Sequence, residues 1–344
     1  MSDTPVFAAI GLDHRHIHHM VGELIAAGAR CAGYCPKTTD PRVLEGFRER
    51  FPDLPAVDRE KLLDDPGVGI ICSAAVPRDR AALAIRAMRA GKDVMVDKPG
   101  CTTLADLDRV EATARETGRI FSICFSERFI VPACELAARL VAEGAIGRVI
   151  QTTGLGPHRL NRTIRPAWFF EHAAHGGILA DIASHQIDQF LFFTGSDEVE
   201  IAASAVGSFG DHGIQGFEDY GEILLRSEKA SGFIRVDWFT PDGLATWGDG
   251  RLFLLGTEGY LELRKYIDIA GNAGTDHVLL VNGEGTRRLD ASGEPLTYFR
   301  RFLADVRDRT ATAMPEGHAV RVTRLALEAQ ARATRLGVPQ PSAG

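Results

Sequence analysis

The first 125 residues alternate short apolar runs with amphipathic stretches, and this alternation restricts the fold more than any other feature of the chain. Runs typical of strands lie near residues 6–10, 30–34, 69–72, 93–96 and 120–125, and segments with helical periodicity separate them. Strands that are apolar along their whole length indicate a parallel sheet covered by helices on both faces. The pattern therefore predicts an α/β, doubly wound Rossmann domain over residues 1–125.

Residues 126–344 have a different pattern. From about residue 199 to 281 strand follows strand, with Gly and Asp at hairpin-like intervals, as at Asn282-Gly283. This predicts an α+β domain with a large, mainly antiparallel open sheet and helices on one face. Two final helices, near 296–310 and 319–335, could pack back on the first domain.

Composition excludes several classes of partner. A net charge of −7 over 344 residues gives no electrostatic footprint for nucleic acid or an anionic membrane. No apolar run approaches the roughly 18 residues of a membrane-spanning helix. The chain begins without a basic, then apolar, leader, and its six cysteines are scattered without a C-x-x-C pair. Reduced core thiols and a cytoplasmic location are expected.

The segment Gly176–Asp188 indicates a helix with chemistry on one side. Asp181 and His185 are four residues apart and Asp188 follows three later, so a regular helix would present all three together. A carboxylate beside an imidazole can fix its tautomer and raise its basicity, as a general base requires. The alternative is a structural ion pair. For Asp188 we favour a structural acid or a substrate contact over a catalyst.

The turn after the first strand, Gly11-Leu12-Asp13-His14-Arg15-His16, keeps one of the three glycines of a dinucleotide fingerprint. Asp13 would oppose a pyrophosphate unless it points away or caps the following helix. The second strand ends in Tyr34-Cys35-Pro36-Lys37 without the acid that holds adenosine ribose hydroxyls. Because Lys37 and Thr38 could meet a 2′-phosphate instead, the sequence favours NADP slightly over NAD.

A histidine cluster in the same region raises the question of a metal. His14 and His18 are one helical turn apart, as two ligands would be, and His16 and His19 lie beside them. No Cys or Glu set accompanies them, and they open the predicted cofactor turn. We therefore predict no metal, and either hydrogen bonds near the cofactor phosphates or a solvated face.

Three motifs together resemble the Gfo/Idh/MocA family (glucose–fructose oxidoreductase, inositol dehydrogenase and relatives). They are the strand ending at Gly11, the sequence Asp97-Lys98-Pro99 after a strand, and Gly176-Gly177 followed by Asp181-x-x-x-His185. The resemblance covers nearly the whole chain. Asp97 stands where the family has Glu, and the glycine-poor turn is a larger departure.

The resemblance implies a site in which Lys98 and the Asp181/His185 helix face the nicotinamide across a cleft. His185 would accept the hydroxyl proton, Asp181 would orient it or bind another hydroxyl, and Lys98 would stabilise the developing alkoxide. The cofactor contacts it implies are Gly11, Leu12, Asp13, His14, His16, Cys35, Lys37, Ala74, Pro77, Asp97 and Lys98.

The segment Pro157–Phe170 carries three arginines, a histidine and three aromatic residues just before the proposed catalytic helix. Arginines can bind a carboxylate bidentately, and aromatic faces suit sugar rings. An acidic sugar or polyol is one hypothesis, and a purely structural loop is equally compatible. The candidate substrate contacts are His158, Arg159, Arg165 and Trp168, together with Asp181 and His185.

The sequence thus predicts an NAD(P)-dependent oxidoreductase that acts on a secondary alcohol or ketone of a sugar, cyclitol or related polyol. Two alternatives stay open: a glycoside hydrolase that oxidises its sugar transiently with tightly held NAD, and a non-catalytic regulator that senses the cofactor. The resemblance also implies a homodimer or homotetramer assembled through the outer face of the second-domain sheet.

Overall fold

A computed structural model describes residues 4–210, 212–214 and 216–337 and divides the chain into two compact units. Unit 1 takes in the described residues of Met1–Phe125 together with Pro166–Gly176 and Thr297–Arg324. Unit 2 takes in the described residues of Ser126–Arg165, Gly177–Leu296 and Leu325–Gly344.

Unit 1 is built on five parallel strands in the order β2-β1-β3-β4-β5. Strands β3 and β4 are buried along their whole length, as expected of a sheet covered on both faces. The predicted doubly wound sheet is confirmed. Its elements are β1 (Val6–Leu12), α1 (His16–Ala26), β2 (Arg30–Tyr34), α2 (Pro41–Arg50), α3 (Arg59–Asp64), β3 (Ile70–Ala74), α4 (Pro77–Arg89), β4 (Asp93–Asp97), α5 (Leu104–Thr117) and β5 (Phe121–Cys124).

Local signals set the ends of these helices. Asp40 accepts a hydrogen bond from the Arg42 N–H at the start of α2, and Thr103 does the same for the Asp106 N–H at the start of α5. At its other end α5 stops where Gly118 adopts a φ of +62°.

Unit 2 is built on a nine-stranded sheet in the order β13-β12-β11-β10-β6-β9-β8-β7-β14. Among the described strands of this sheet, only β6 with β9 and β14 with β7 pair in parallel, so the predicted mainly antiparallel sheet is confirmed. From Ser126 onward the elements are α6 (Ser126–Phe129), α7 (Pro132–Ala142), β6 (Val149–Pro157), α8 (His172–His175), α9 (Ser184–Thr194), β7 (Glu200–Gly207), β8 (Tyr220–Arg226), β9 (Ser231–Asp237), β10 (Arg251–Gly256), β11 (Gly259–Arg264), β12 (His277–Asn282), β13 (Gly285–Asp290), α10 (Tyr298–Asp308), α11 (His318–Arg332) and β14 (Thr334–Leu336).

Helix α9 packs directly on one face of this sheet because glycines lie beneath it. A Cβ atom at Gly154 would come 2.7 Å from Gln186 Cγ, and one at Gly232 would come 2.7 Å from Phe190 Cδ2. Both contacts are too close for a real side chain, so only glycine allows the helix this near the strands. The close approach fixes the depth of the helix that carries His185.

The segments that join unit 1 from later in the chain are held by specific side chains. The hydroxyls of Tyr298 and Ser122 share a hydrogen bond, and Arg309 Nη1 lies 2.7 Å from Asp93 Oδ1. Arg324 Nη2 lies 2.9 Å from Asp108 Oδ1. These contacts tie α10 and the residue after it to β5 and β4, and tie α11 to α5.

Two features expected of the whole chain can be checked in the described residues. All six cysteines are free and buried, in agreement with reduced core thiols. No helix in the described part of the chain is both long and apolar enough to cross a membrane.

Candidate active site

The predicted cofactor residues lie in unit 1, where β1 and β3 end side by side. Gly11 has a φ of +78°, and a Cβ atom there would lie 2.5 Å from Ala75 Cβ and 2.9 Å from Ser73 Oγ. The backbone N–H groups of Asp13 and His14 both donate to the Ala74 carbonyl, at 3.2 and 3.0 Å. Neighbouring parallel strands whose connections leave in opposite directions form the usual crevice for a nucleotide.

The backbone donors at the start of α1 are engaged locally. The Arg15 side chain makes no capping hydrogen bond, but the His16 N–H donates to His14 Nδ1 at 3.4 Å and the Ile17 N–H donates to the His14 carbonyl at 3.1 Å. Most of the predicted cofactor residues meet at this sheet edge, because they end strands or begin helices there: Leu12 on β1, Cys35 after β2, Ala74 on β3, Pro77 on α4 and Asp97 on β4.

The Asp13 carboxylate is bound by the residues that follow β2. Its Oδ1 accepts hydrogen bonds from the Thr39 N–H at 2.5 Å, the Thr39 hydroxyl at 2.8 Å and the Thr38 hydroxyl at 3.2 Å. Of the two arrangements the sequence allowed, the structure has the one in which the carboxylate turns outward rather than capping α1. Thr38 is thereby engaged, and exposed Lys37 is left as the candidate partner of a 2′-phosphate.

Asp97 is an ionised carboxylate in a buried cluster of basic groups. His16 Nδ1 lies 3.0 Å from its Oδ1, and His14 Nδ1 and Arg80 Nη2 lie 3.3 Å from its Oδ2. Burial alone would raise the pKa of Asp97, but the charges of His16 and Arg80 hold it well below its usual range. Burial and the nearby His16 lower the pKa of His14 to about 3, so His14 is neutral.

The same cluster has the geometry of a metal site. The ligand atoms of His14, His16 and Asp97 all lie within 4.8 Å of one another, which no other described group of this kind does. The pairing considered from sequence is absent, since the His18 ring instead donates to the Val43 carbonyl at 2.9 Å. Arg80 already donates to Asp97, so an added cation would meet a guanidinium at close range.

Arg80 holds the chain on both sides of Lys98. Its Nη1 donates to the carbonyls of Asp97 and Pro99, both at 2.8 Å, and its Nε donates to the Ala75 carbonyl at 2.7 Å. Lys98 is 6% exposed and precedes a cis peptide bond to Pro99. Sequence reasoning missed Arg80, because nothing in an amphipathic helix marks which arginine is turned inward.

The predicted site residues of unit 2 lie on the segment that precedes α9 and on its first turn. The predicted regular helix is wrong at its start: Leu179–Ala183 forms a π-helical turn, and α-helix begins only at Ser184. A φ of +90° at both Gly176 and Gly177 sets up this entry. Wide turns of this kind are common at functional sites. They leave Asp181 half-buried on the π turn and His185, 2% exposed, on the first turn of α9.

Asp188, the third acid of the motif, is structural. It is fully buried, and its two carboxylate oxygens accept from Arg128 Nε and Nη2, each at 2.7 Å. The Arg128 guanidinium also lies over the rings of Phe129 and Phe192, with centroids 4.5 and 4.2 Å away. This bidentate pair joins α6 to α9.

A second buried network lies beside His185, and sequence reasoning missed it. Glu127 Oε2 accepts from Lys265 Nζ at 3.0 Å and Gln186 Nε2 at 3.1 Å, and the same ammonium donates to Gln189 Oε1 at 3.1 Å. Burial raises the pKa of Glu127, but Lys265, His185 and His158 together lower it to about 2. Glu127 is therefore a carboxylate among cationic and basic groups.

The predicted substrate residues separate into two groups. The His158 ring packs against Trp238 and Trp247, with centroids 5.3 and 4.6 Å away, and Arg165 lies 5.1 Å from the Trp238 ring centroid. We call these four residues of unit 2, His158, Arg165, Trp238 and Trp247, the aromatic cluster. Trp168 instead lies in unit 1, edge-on to Phe169.

The Arg159 side chain stabilises a loop. Its Nη2 donates to the carbonyls of Pro241 and Leu244 at 2.8 and 2.6 Å, and its Nε lies 3.5 Å from Asp242 Oδ1. Its guanidinium thus holds the loop that follows β9.

Two family models match the chain. The model described as "Oxidoreductase family, NAD-binding Rossmann fold" matches residues 40–125, and the "GFO/IDH/MocA C-terminal domain" matches residues 135–262. Together they cover parts of both units.

Individual relatives agree with these models. The scyllo-inositol 2-dehydrogenase (NAD(+)) of Bacillus subtilis (strain 168) is 25% identical over 284 residues, which are 80% of this chain and 75% of that one. The 1,5-anhydro-D-fructose reductase of Ensifer adhaerens is 30% identical over 71% of this chain and 70% of its own. A crystal structure from Erwinia carotovora atroseptica SCRI1043, of a protein assigned to the oxidoreductases, is 44% identical with a TM-score of 0.92, covering 97% of this chain and all (100%) of that one. The chain is therefore an oxidoreductase of the GFO/IDH/MocA family, with the NAD-binding Rossmann fold of that family.

Proposed function

We propose that this oxidoreductase transfers hydride between NAD(P) and a secondary alcohol or ketone of a sugar, cyclitol or related polyol. The observation that carries the proposal is the placement of Lys98, which Arg80 holds from both sides at the nucleotide edge of the five-stranded sheet. The names of two relatives, an inositol dehydrogenase and an anhydrofructose reductase, support the same substrate class.

Each residue has a role that follows from its charge and setting. Oxidation of an alcohol removes a proton from oxygen and a hydride from carbon, and the bound nicotinamide supplies the hydride acceptor. His185 takes the proton as general base, and Asp181 orients it or binds a second hydroxyl. Lys98 stabilises negative charge on the substrate oxygen as the proton leaves.

The aromatic cluster is our candidate for substrate recognition. Aromatic faces suit the apolar faces of sugar rings, and the Arg165 guanidinium stacked on Trp238 would favour a substrate with an anionic group. His158 and Arg165 carry this role in our proposal. We assign no such role to Arg159, whose guanidinium is bound by the Pro241 and Leu244 carbonyls and lies beside Asp242. Arg165 Nε also donates to a backbone carbonyl, that of Leu160 at 2.9 Å, but its guanidinium lies over Trp238 within the aromatic cluster.

The decisive experiment is turnover against a panel of sugars, cyclitols, polyols and their acids, followed through NAD(P)H absorbance. For the best substrate, Lys98→Ala and His185→Ala should each lower kcat/KM at least about 100-fold, while the exposed control Lys61→Ala leaves it unchanged. Wild-type turnover in both site variants would refute the proposal. Glycoside hydrolysis without net change in NAD(P)H, or nucleotide binding with no reaction at all, would identify one of the two alternatives.

We propose further that the chain forms a homodimer or homotetramer through the outer face of the nine-stranded sheet. Apolar side chains on that face are open to solvent, including Phe233 on β9, Leu255 on β10 and Tyr260 on β11. A second copy of the same face could cover them in an isologous contact.

The free, buried cysteines support a reducing compartment, and we propose the cytoplasm. None of the six thiols is exposed to an oxidant in the described structure, and burial raises the pKa of Cys31 to about 11 and that of Cys134 to about 12. Such thiols are poor nucleophiles.

A further inference from the structure

Helix α9 presents three polar side chains to the same buried network. Gln186 Nε2 donates to Glu127 Oε2 at 3.1 Å, and Gln189 Nε2 donates to the Glu127 carbonyl at 3.4 Å. His185 lies one helical turn before Gln189, so these two side chains share a side of the helix. The α6 residue Glu127 therefore lies next to the candidate base.

One oxygen of Glu127 is not yet satisfied. Its side chain is 3% exposed, and Oε2 receives both the Lys265 ammonium and the Gln186 amide. The other oxygen, Oε1, is buried and has no hydrogen-bond partner among the described residues. A buried carboxylate oxygen without a donor is costly, so this atom marks a place where an N–H or O–H is expected.

His185 is the donor best suited to that place. Besides Lys265, the groups whose charge acts on Glu127 are His185 and His158. His158 donates from Nδ1 to the Gly156 carbonyl at 3.1 Å and is packed between two tryptophans. His185 is the one whose ring gains an N–H and a positive charge during the proposed reaction.

We propose that Glu127 is a positioning residue for His185, with Oε1 accepting a hydrogen bond from the ring as the imidazole takes up the substrate proton. The inference rests on the proposed function. The O–H bond of the substrate breaks, its proton goes to one ring nitrogen, and the N–H on the other ring nitrogen donates to Glu127. The carboxylate stays ionised throughout, and Lys265 keeps it so. The logic is that of an acid that orients a histidine base without receiving its proton.

Other charged groups near Glu127 and His185 do not reproduce this effect. Arg128 and Asp188 neutralise each other as a bidentate pair, and burial keeps the Cys134 thiol and the Tyr266 phenol protonated by raising their pKa values. The titratable or charged groups around the network are Lys265, His158, Tyr266, Cys134, Arg128 and Asp188, with Asp181 on the same segment as His185.

The test is the pKa of His185 in cofactor-free protein labelled with ¹⁵N-histidine, measured by NMR titration and assigned through the signal lost in His185→Gln. Glu127→Gln should lower that pKa by about one unit, because a neighbouring negative charge no longer favours the imidazolium. The surface substitution Glu143→Gln, on the exposed end of α7, should leave it unchanged. An unchanged pKa in Glu127→Gln would overturn the inference.

Kinetics supply a second readout. The acid limb of the kcat/KM profile for oxidation should move to lower pH in Glu127→Gln, and kcat should fall while KM stays within about twofold. A large rise in KM with an unchanged His185 pKa would show that Glu127 binds substrate instead, and would also overturn the inference.

A second variant covers the chance that Glu127→Gln fails to fold with Lys265 left unpaired. Glu127→Gln with Lys265→Met removes both charges, and we expect its His185 pKa to lie below that of Lys265→Met alone because the acceptor at Oε1 becomes an uncharged amide. Equal His185 pKa values in these two variants would contradict the inference. Since the NMR titration needs no substrate, it stands apart from the His185→Ala turnover test, whose failure would refute the proposed function itself.

Discussion

At the nucleotide turn, the side chains that replace two of the fingerprint glycines are bound by neighbouring residues. Asp13 turns outward to Thr38 and Thr39, and His16 turns to Asp97. Gly11 is the position where the close approach to Ala75 forbids any side chain. The turn therefore keeps the one fingerprint glycine that its packing against β3 requires.

Lys37 is where we expect the choice between NADP and NAD to be made. It is exposed just after β2, where no acid is present to bind ribose hydroxyls. Lys37→Ala should weaken NADP⁺ binding about tenfold, because a charge-assisted contact with the 2′-phosphate is lost, and should leave NAD⁺ binding within about twofold. Fluorescence titration of both nucleotides measures this, with Lys61→Ala as control. Equal wild-type affinity for the two nucleotides would contradict it.

Among the elements, α9 is positioned by three separate features of the chain. Two glycines with positive φ set its entry, a π turn carries Asp181, and Gly154 and Gly232 let it lie close to the sheet. Hydrophobic periodicity predicted this helix and its end at Gly195, where φ is +60°. It could not predict the π turn, because four of the five residues of Leu179–Ala183 are apolar and buried and therefore show no period.

Buried charges were the part of the site that the sequence could not reveal. Arg80, Glu127 and Lys265 each lie in segments that read as ordinary solvated helix or strand ends. Whether a charged side chain turns inward depends on a partner distant in the chain, and Lys265 is 138 residues from Glu127. Asp181 and His185 stood out in the sequence by their four-residue spacing and Lys98 by its resemblance to a family motif, and their catalytic roles stay predictions.

The ion pair between α6 and α9 should matter far more than a surface pair. Asp188→Asn leaves Arg128 buried without its counter-charge and should destabilise unit 2 by about 3–5 kcal/mol. Arg128→Met combined with Asp188→Leu should cost much less, because no charge stays buried. Differential scanning calorimetry of each variant measures the shift, with Arg139→Ala, from a half-exposed pair, expected to change stability by less than about 1 kcal/mol. Equal losses in the single and double variants would contradict this account.

At the scale of the whole molecule, the two faces of the nine-stranded sheet present different side chains, one buried and one partly exposed. One face is lined by inward residues such as Gly232 and Ile234, against which α9 packs. Along the same strand Phe233 and Arg235 point to the other side, following the two-residue period of a strand. Within unit 2 no helix is needed on that second face if another copy of the chain covers it.

The proposed contact between copies of the chain can be tested where β10 and β11 pair. Leu255 on β10 and Tyr260 on β11 are direct cross-strand partners and are 43% and 45% exposed. Leu255→Glu would place a charge, and its symmetry mate, in the centre of an isologous interface, where an unpaired buried charge is strongly unfavourable. We expect sedimentation velocity at micromolar concentration to show an oligomer for wild type and mainly monomer for Leu255→Glu. Ile25→Glu, a 40% exposed residue on α1 in unit 1, should leave the oligomer intact. A monomeric wild type, or an oligomer that survives Leu255→Glu, would mean that this face serves another purpose.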